Sequence, residues 1–444
     1  MADSYVSEHK RGKGILLQMM GPGFLLYILA TNLYFGLLKI IAPFHKKAKL
    51  YVTGRKHLLK KIEEELIKDL RDKCWFHCAS LGEFEQARPV MEVFKKQKPE
   101  LAIVLTFFSP SGYEIRKNTP HADYVYYLPN DNALNAKRFI AAINPVVAIF
   151  TKYEFWYFYI SKLYKLKIPQ VLISARFRKE QIFFQWYGTF FSRILQMFHF
   201  IFTQDENSVN LLQSIGITNC KKAGDTRFDR VVQTAATAAN IDKLETFKEQ
   251  KLLLVAGSSY AAEEEMLAYA IRNLNGELKV LIAPHEISEA RLLSIEKTFK
   301  TLGTQRFSSF DTGKRASVLI MDNIGMLAAA YKSADIALVG GGFGTKGLHN
   351  ILEPATFGVP VIYGPLNHDK FPEATELLHA GGGFIVSDNA SMLNLLADFT
   401  THTAKRKLAG KLAQSYVQNN QGATDLIMEL PLFKKLLTNE VISN

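Results

Sequence analysis

The sequence of 444 residues has little cysteine and little charge, and each shortage excludes a class of protein. Three cysteines are too few for a disulfide framework, which indicates a reducing compartment. Cys74 and Cys78 lack the spacing and the further ligands of a zinc site, so we interpret them as core thiols. Charged residues make up 22% of the chain and hydrophobic residues 48%, which excludes a largely disordered protein. No tandem repeat or low-complexity tract is present.

The length and the net charge set two further expectations. A chain of 444 residues exceeds the usual size of a single core, so two domains are expected. The net charge of +12 indicates an anionic partner or surface, but it does not choose among nucleic acid, phospholipid and an acidic small molecule.

The N-terminal region lacks charge from Gly14 to Leu38, which is long enough for the ~20 residues of a membrane crossing. Gly21-Pro22-Gly23 interrupts it, so the predicted helix runs from Phe24 to Phe44. No signal-peptide cleavage site is clear. Three interpretations stay open, namely a spanning anchor, a helix lying in the membrane interface and a buried core helix. Basic residues flank the segment on both sides, at Lys10, Arg11, Lys13, Lys39, Lys46, Lys47 and Lys49.

From Lys73 onward, short apolar runs alternate with helical patterns, which predicts two doubly wound parallel sheets, each a Rossmann-like domain. The predicted domains are an N-terminal segment 1–50, a first domain 51–232 and a second domain 233–444, with a ligand bound in the cleft between them. The predicted strands are Cys74–Cys78, Ala102–Phe107, Tyr124–Tyr127, Val146–Phe150, Gln170–Ile173, Phe200–Thr203, Leu252–Ala256, Lys279–Ile282, Val318–Met321, Ile336–Val339, Val359–Tyr363 and Phe384–Val386.

The stretch from Asp335 to Pro365 has the pattern of a nucleotide-binding cradle. The apolar run Ile336–Val339 ends in a glycine-rich loop around Gly341, where the main chain can turn sharply and a ligand can approach it closely. A helix predicted at 350–357 would direct its N-terminal amides toward an anion above the loop.

Carboxylates and a guanidinium follow three predicted strands of the first domain. Glu83, in a Gly82-Glu83 pair at the start of a predicted helix, is either a dipole partner worth ~0.3–1 kcal/mol or a general base. Glu154 is either a second cleft carboxylate or a satisfied loop acid. Arg176 suits the capture of a carboxylate or phosphate, although a structural ion pair explains it equally well.

In the second domain, single residues carry weaker signals. Asn350 fits helix capping, whereas Glu353 beside a glycine loop could bind ribose hydroxyls. His285 could donate to a phosphate or simply fill a loop. An aromatic run is expected to pack in the core or to face lipid, and it consists of Phe183, Phe184, Trp186, Tyr187, Phe190, Phe191, Phe198 and Phe200.

Together these residues resemble the 3-deoxy-D-manno-octulosonic acid (Kdo) transferases of lipopolysaccharide synthesis, which have the GT-B fold. The resemblance covers nearly the whole chain and is more specific than any single glycine loop. Its most specific parts are Ala79-Ser80-Leu81-Gly82-Glu83, Ala256-Gly257-Ser258 with Glu263-Glu264-Glu265, and Val339-Gly340-Gly341 continuing to His349-Asn350-Ile351-Leu352-Glu353-Pro354.

The resemblance implies roles for individual residues. Glu83 corresponds to the catalytic base, with Ser80, Gly82, Glu154, Arg176 and Ser258 as further cleft candidates. The first domain would bind the acceptor. The second domain would bind CMP-Kdo through Gly341, Pro284, His285, Gly325, Met326, Leu327, Asn350, Ile351, Leu352 and Glu353.

The implied reaction transfers Kdo from CMP-Kdo to a lipid A precursor with inversion, and it needs no cofactor, obligatory metal or nucleic acid. The implied location is the cytoplasmic face of the inner membrane, on its lipid surface. The chain departs from the family pattern at Pro284-His285, at Gly325-Met326-Leu327 and at Lys152-Tyr153. Two alternatives are a GT-B enzyme that uses a UDP-sugar and a membrane-bound GT-B protein without catalysis.

Overall fold

The structure is a computed structural model, and it describes residues 21–274, 276, 278–344, 347–366 and 371–438. The chain divides into two compact units between Arg230 and Val231, and the segment from Gly422 returns to the first unit. The predicted second domain, 233–444, therefore loses its last helices to the first unit. The reason is packing, because Ile427 and Phe433 are buried in the core of the first unit.

The first unit is built on a parallel sheet in the order β3-β2-β1-β4-β5-β6-β7. Side chains of β1 alternate between two cores, with Phe76 on one face and Trp75 on the other. All six residues of β1 are buried, as expected for a strand covered on both faces. The strands are β1 Lys73–Cys78, β2 Ala102–Phe107, β3 Tyr124–Tyr127, β4 Pro145–Thr151, β5 Gln170–Ala175, β6 Phe200–Thr203 and β7 Cys220–Lys222.

Helices cover both faces of this sheet and connect its strands. They are α1 Pro22–Ile41, α2 Lys46–Thr53, α3 Leu58–Leu66, α4 Leu81–Gln97, α5 Pro110–Arg116, α6 Ala133–Ile143, α7 Tyr157–Lys165, α8 Thr189–Leu195, α9 Glu206–Ser214 and the first part of α10 Thr226–Thr237, within which the first unit ends, with a 3-10 turn at Ile182–Phe184. The last described helices, α19 Ala423–Met428 and α20 Pro431–Thr438, also belong here. Asp229 holds this return, because its carboxylate accepts from the Thr424 N–H and hydroxyl, each at 2.6 Å.

The second unit has its own parallel sheet in the order β10-β11-β9-β8-β12-β13-β14. Its strands are β8 Leu252–Ser259, β9 Leu278–Pro284, β10 Thr304–Arg306, β11 Val318–Ile320, β12 Ile336–Val339, β13 Val361–Tyr363 and β14 Gly383–Ile385. Its helices are α11 Asp242–Lys248, α12 Ala261–Arg272, α13 Glu289–Thr298, α14 Leu327–Lys332, α15 Leu352–Thr356, α16 Pro372–His379, α17 Asn389–Thr401 and α18 Thr403–Asn419, with a 3-10 turn at Lys300–Leu302.

The prediction of two doubly wound parallel sheets is confirmed. All twelve predicted strands exist, most within one or two residues of their predicted ends. Two strands were not predicted, Cys220–Lys222 and Thr304–Arg306. Both lie at a sheet edge and have no buried residue, so they lack the apolar run that marks a central strand.

Helix α1 begins at Pro22 and ends at Ile41, whereas the predicted helix ran from Phe24 to Phe44. Pro22 starts the helix because its fixed φ and missing N–H suit the first helical position. The helix is long and apolar enough to cross a membrane, and only 11% of its most apolar 18-residue stretch is buried inside the protein. The basic residues predicted to flank it on the N-terminal side lie outside the described residues.

Candidate functional site

In the first unit the strand order reverses between β1 and β4, and parallel doubly wound sheets bind ligands at such a reversal. Glu83 lies just after β1, in the first turn of α4. Its Oε2 accepts hydrogen bonds from the Ser80 backbone N–H at 2.8 Å and from the Ser80 hydroxyl at 3.0 Å. The carboxylate therefore caps the helix, and the exposed Gly82 beside it adds no side chain to the site.

Glu83 is nevertheless a perturbed acid. The pKa of Glu83 is raised to about 7, first by burial and next by the nearby carboxylate of Glu154. Hydrogen bonds from Ser80 and the positive charge of Lys152 act in the opposite direction. A carboxyl group whose pKa lies near 7 can accept a proton at neutral pH and hold it, which is what general-base catalysis requires.

Glu154 follows β4, the strand next to β1, and it is buried. Its Oε2 lies 2.8 Å from His77 Nε2 and accepts from the Trp156 indole N–H at 2.6 Å. The other nitrogen of the His77 ring lies 2.8 Å from the hydroxyl of Thr106, which also accepts from the Trp75 indole. These hydrogen-bonded groups fix the position of the Glu154 carboxylate, whose charge acts on Glu83.

Arg176 lies beyond the next strand, β5, and its Nε is 3.1 Å from Asp205 Oδ2. The structural pair that the sequence allowed is therefore present. Tyr153 feels charges from both sides of this edge: burial raises its pKa, Arg178 and Arg176 lower it, and Asp205 and Glu83 raise it. Because β1, β4 and β5 pair in parallel, Glu83, Glu154 and Arg176, which follow their carboxyl ends, lie at the same edge of the sheet.

In the second unit, strand order reverses between β8 and β12, and the glycine loop follows β12. Gly341 has φ of +94°, and a Cβ atom there would lie 2.2 Å from the Gly347 carbonyl oxygen. The Gly341 N–H donates to Glu263 Oε1 at 3.2 Å, and the Tyr260 N–H donates to the same oxygen at 2.9 Å. The buried Glu263 thus holds the loop against the start of α12.

Three rings form a stack beside this loop. The ring centroids of His285 and His349 are 4.7 Å apart, and that of Tyr260 is 5.0 Å from His285 and 5.7 Å from His349. The Tyr260 hydroxyl lies 3.0 Å from His349 Nε2. Burial, and next the neighbouring His285, lower the pKa of His349 to about 4, so His349 is neutral at neutral pH. His285 is exposed and follows the buried Pro284 at the end of β9.

The other predicted residues of the second unit occupy distinct places. Ser258 sits in a bulge of β8 with φ of +53°, a strained conformation for a residue with a side chain. Gly325-Met326-Leu327 leads into α14 from β11, and Gly325 has φ of +94°. Leu327 packs on the end of β8. A Cβ atom added to Gly257 of that strand would lie 3.1 Å from the Cδ1 atom of Leu327.

The helix predicted at 350–357 is shorter, Leu352–Thr356, because Gly358 ends it at positive φ. Asn350 Oδ1 accepts from the Leu352 N–H at 3.1 Å, and Asn350 Nδ2 donates to Glu353 Oε1 at 3.1 Å. Asn350 therefore occupies the Leu352 amide, as its predicted capping role implies, and anion binding at the start of this helix stays a prediction. Ile351 and Leu352 are buried, and their predicted part in donor binding stays a prediction.

Sequence reasoning gave no role to Tyr260, Trp156 or the carboxylate of Glu263. The signal for Glu263 was its spacing from Tyr260, because a Glu three residues after a helix N-cap forms a capping box. Within the described part of the chain, no group of three His, Cys, Asp or Glu side chains could hold a metal ion.

Comparison with known proteins agrees with this geometry. Residues 51–230 match the family model described as 3-deoxy-D-manno-octulosonic-acid transferase (kdotransferase). The chain is 29% identical over 354 residues to a 3-deoxy-D-manno-octulosonic acid transferase of Aquifex aeolicus, covering 78% of this chain and 92% of the relative. It is 27% identical over 344 residues to the transferase of that name from Chlamydophila psittaci, covering 75% and 78%.

The fold has solved counterparts. The crystal structure of UDP-GlcNAc 2-epimerase from Neisseria meningitidis bound to UDP-GlcNAc superposes with a TM-score of 0.56 at 14% identity, covering 80% of this chain and 98% of that one. This likeness concerns the fold alone and confirms the predicted GT-B class. The family-model match and these relatives show that the chain is similar to the 3-deoxy-D-manno-octulosonic acid transferases and is a glycosyltransferase.

Proposed function

We propose that the protein transfers Kdo from CMP-Kdo to a hydroxyl group of a lipid A precursor, of the lipid IVA type, in lipopolysaccharide synthesis. The family gives the transferred sugar and the reaction class. The observation that carries the chemical assignment is Glu83, a carboxyl group whose pKa is raised to about 7 where the strand order of the first unit reverses.

In the proposed reaction, Glu83 takes the proton of the acceptor hydroxyl as that oxygen forms a bond to the anomeric carbon of Kdo. The bond between this carbon and the phosphate oxygen of CMP breaks, and the electron pair leaves with CMP. The sugar carbon gains oxocarbenium character on the way, and its configuration inverts. Proton transfer by a positioned base of this kind contributes about 10²–10⁴-fold to a rate.

The second unit binds the donor in this proposal. The loop at Gly341 offers main chain that a phosphate can approach, and Glu263 fixes its shape. The exposed imidazole of His285 is proposed to bind the CMP-sugar donor. The stack with Tyr260 and His349 orients its ring. The roles predicted for Met326 and Asn350 remain part of the proposal.

The acceptor is a lipid, so the proposal places the protein at the cytoplasmic face of the inner membrane. Helix α1 supports this location, because seven large aliphatic side chains along it are exposed. Arg176 is proposed to meet an anionic group of donor or acceptor, and it would have to exchange Asp205 for that ligand.

The test compares Glu83→Gln and Glu83→Ala with wild type, using CMP-Kdo and lipid IVA and measuring CMP release. We expect a loss of about 10²–10⁴-fold in kcat for both. The matched control is Glu85→Gln on the same helix, whose carboxylate pairs with Arg116 at 2.7 Å, and it should keep near wild-type turnover. Near wild-type turnover in both Glu83 variants would exclude the base assignment. Inhibition by UDP but not by CMP would exclude the donor.

A further inference from the structure

Helix α1 presents an apolar face that no described part of the chain covers. Leu25, Leu29 and Ile40 are exposed by 68%, 66% and 70%. The face continues along the whole helix through Leu26, Leu33, Leu37 and Ile41. An apolar strip of this length, about 30 Å at 1.5 Å per residue, needs a nonpolar partner.

The opposite face of α1 is packed on the first unit along most of the helix. Near its start, Phe24 packs edge-on against Tyr157 with centroids 5.2 Å apart, and near its end Phe35 stacks on Tyr51 at 6.4 Å. Between them the Tyr27 hydroxyl donates to the buried Asp131 at 2.6 Å. A helix crossing the bilayer would carry this carboxylate and the folded unit into hydrocarbon, where polar groups lose their hydration.

A second exposed apolar group lies in the loop before α8, a helix that packs on the start of α1. Trp186 is 90% exposed, and it lies in the loop between a 3-10 turn and α8. Helix α8 contacts α1 closely, because a Cβ atom on Gly23 would lie 2.7 Å from the Cβ of Phe190. The aromatic run is therefore divided, with Phe183 and Phe190 in the core and Trp186 in solvent.

Hydrogen bonds and a tight turn hold the loop that carries Trp186 in one conformation. The Gly188 N–H donates to the Gln185 carbonyl at 2.9 Å, and the Gln185 side chain donates to the Lys179 carbonyl at 2.7 Å. A Cβ atom on Gly188 would lie 1.6 Å from the Ile182 carbonyl oxygen, so only glycine fits this turn. The indole is thus held in solvent by local geometry, and an exposed indole suits the boundary between lipid and water.

The charge of the residues around α1 indicates what kind of surface the helix binds. No Asp or Glu occurs from residue 9 to residue 62, whereas the described part of that stretch contains eight Lys and Arg residues. Lys39, Lys46, Lys47 and Lys49 are exposed at and just after the end of the helix. A surface with negative charge and a nonpolar interior matches this combination, and an anionic lipid bilayer has both properties.

We propose that α1 lies flat in the surface of an anionic bilayer, without crossing it, and that Trp186 inserts beside it as a second anchor. This inference refines the proposed membrane location and rests on it. Two anchors joined through α8 would fix the orientation of the first unit relative to the lipid acceptor, which a single flexible tether would not.

The first experiment measures insertion of Trp186 without donor or acceptor, so it is independent of catalysis. The full chain is mixed with phosphatidylglycerol-containing vesicles that carry brominated acyl chains, and tryptophan fluorescence is recorded for wild type and Trp186→Phe. We expect quenching and a blue shift in wild type that Trp186→Phe largely lacks, because Trp75 is fully buried and the half-buried Trp156 is held by its hydrogen bond to Glu154. Equal quenching in both proteins would overturn the second anchor.

A binding measurement gives the size of the effect. Trp186→Ala should weaken partition into these vesicles roughly tenfold, the scale of burying one large apolar side chain. The matched control is Tyr269→Ala, an aromatic residue of the other unit that is 41% exposed, and it should bind as wild type does. Unchanged partition of Trp186→Ala contradicts the proposal. The proposal is also contradicted if the protein forms a concentration-dependent dimer that buries α1 and does not bind vesicles.

The second experiment decides between a flat and a spanning helix. In a Cys220→Ser background, Gly21→Cys and Lys46→Cys place one thiol before and one after α1, while Cys74 and Cys78 stay buried. In sealed inverted inner-membrane vesicles, an impermeant maleimide should label both positions. Protection of Gly21→Cys with labelling of Lys46→Cys would show a crossing and overturn the flat orientation. Activity on detergent-dispersed acceptor, measured separately, tests the transferase proposal alone.

Discussion

The two units place a glutamate at the same position and give it different surroundings. In each, the first strand of the sheet leads into a helix whose third residue is a glutamate, Glu83 in the first unit and Glu263 in the second. Both accept a hydrogen bond from the backbone N–H of the N-cap residue. The difference lies in what else each carboxylate meets.

Glu263 is fully buried, and its oxygen also accepts from the Gly341 N–H. Its charge is used to shape a loop. Glu83 is partly exposed, its second contact is the hydroxyl of Ser80, and a second carboxylate, Glu154, stands near it. The same capping motif therefore serves a structural role at Glu263 and is available for proton transfer at Glu83. The residues on neighbouring strands determine this difference.

The largest expected effect comes from making the same change at both positions. Gln keeps an oxygen that can cap the helix but cannot take a proton, so Glu83→Gln should lower kcat about 10²–10⁴-fold. Glu263→Gln should keep activity within about tenfold, because its amide oxygen can still accept from two N–H groups. The kcat values of both variants are measured by steady-state kinetics with both substrates. Equal losses of kcat at the two positions would show that Glu83 and Glu263 do not differ in role.

A glycine of the second unit should show the next largest effect. Gly341→Ala puts a Cβ atom 2.2 Å from the Gly347 carbonyl in a left-handed backbone, a strain of about 1–3 kcal/mol. We expect the KM for the donor to rise about tenfold or more and the melting temperature to fall. Gly344→Ala is the control, because no atom lies within 4 Å of its added Cβ. Similar KM values for both variants would remove Gly341 from the donor site.

The smallest expected effect belongs to the ring stack. Tyr260→Phe removes the hydroxyl next to His349 and keeps the ring, at a cost of about 0.5–1.5 kcal/mol for one hydrogen bond. CMP binding measured by calorimetry should weaken about two- to tenfold, with kcat for transfer unchanged. A large loss of kcat with unchanged CMP affinity would instead place Tyr260 in the chemical step.

The sequence predicted the architecture because the central strands are buried on both faces and appear as apolar runs, as β12 Ile336–Val339 does. It also placed Glu83 at a strand end. It could not show the surroundings of that acid, because Glu154 becomes a neighbour only when β4 pairs with β1.

The same limit applies in the second unit. The hydrogen bond from Gly341 to Glu263 joins residues 78 positions apart, and no local pattern announces it. The helix Leu352–Thr356 was predicted too long, as 350–357, because capping by Asn350 and termination by Gly358 both fit a longer segment. Local rules therefore gave element types, while the chemistry of each acid depended on strand order.

The pH dependence of kcat in wild type and Glu154→Gln tests the central claim that Glu83 is a base tuned by its neighbour. Glu83 works only when deprotonated, so wild-type kcat should fall as the pH drops through about 7. Glu154→Gln removes the charge that raises the pKa of Glu83, so its acid limb should move to lower pH. Lys152→Met removes an opposing charge and should move the limb to higher pH. An acid limb that stays at the same pH in all three proteins would contradict the account.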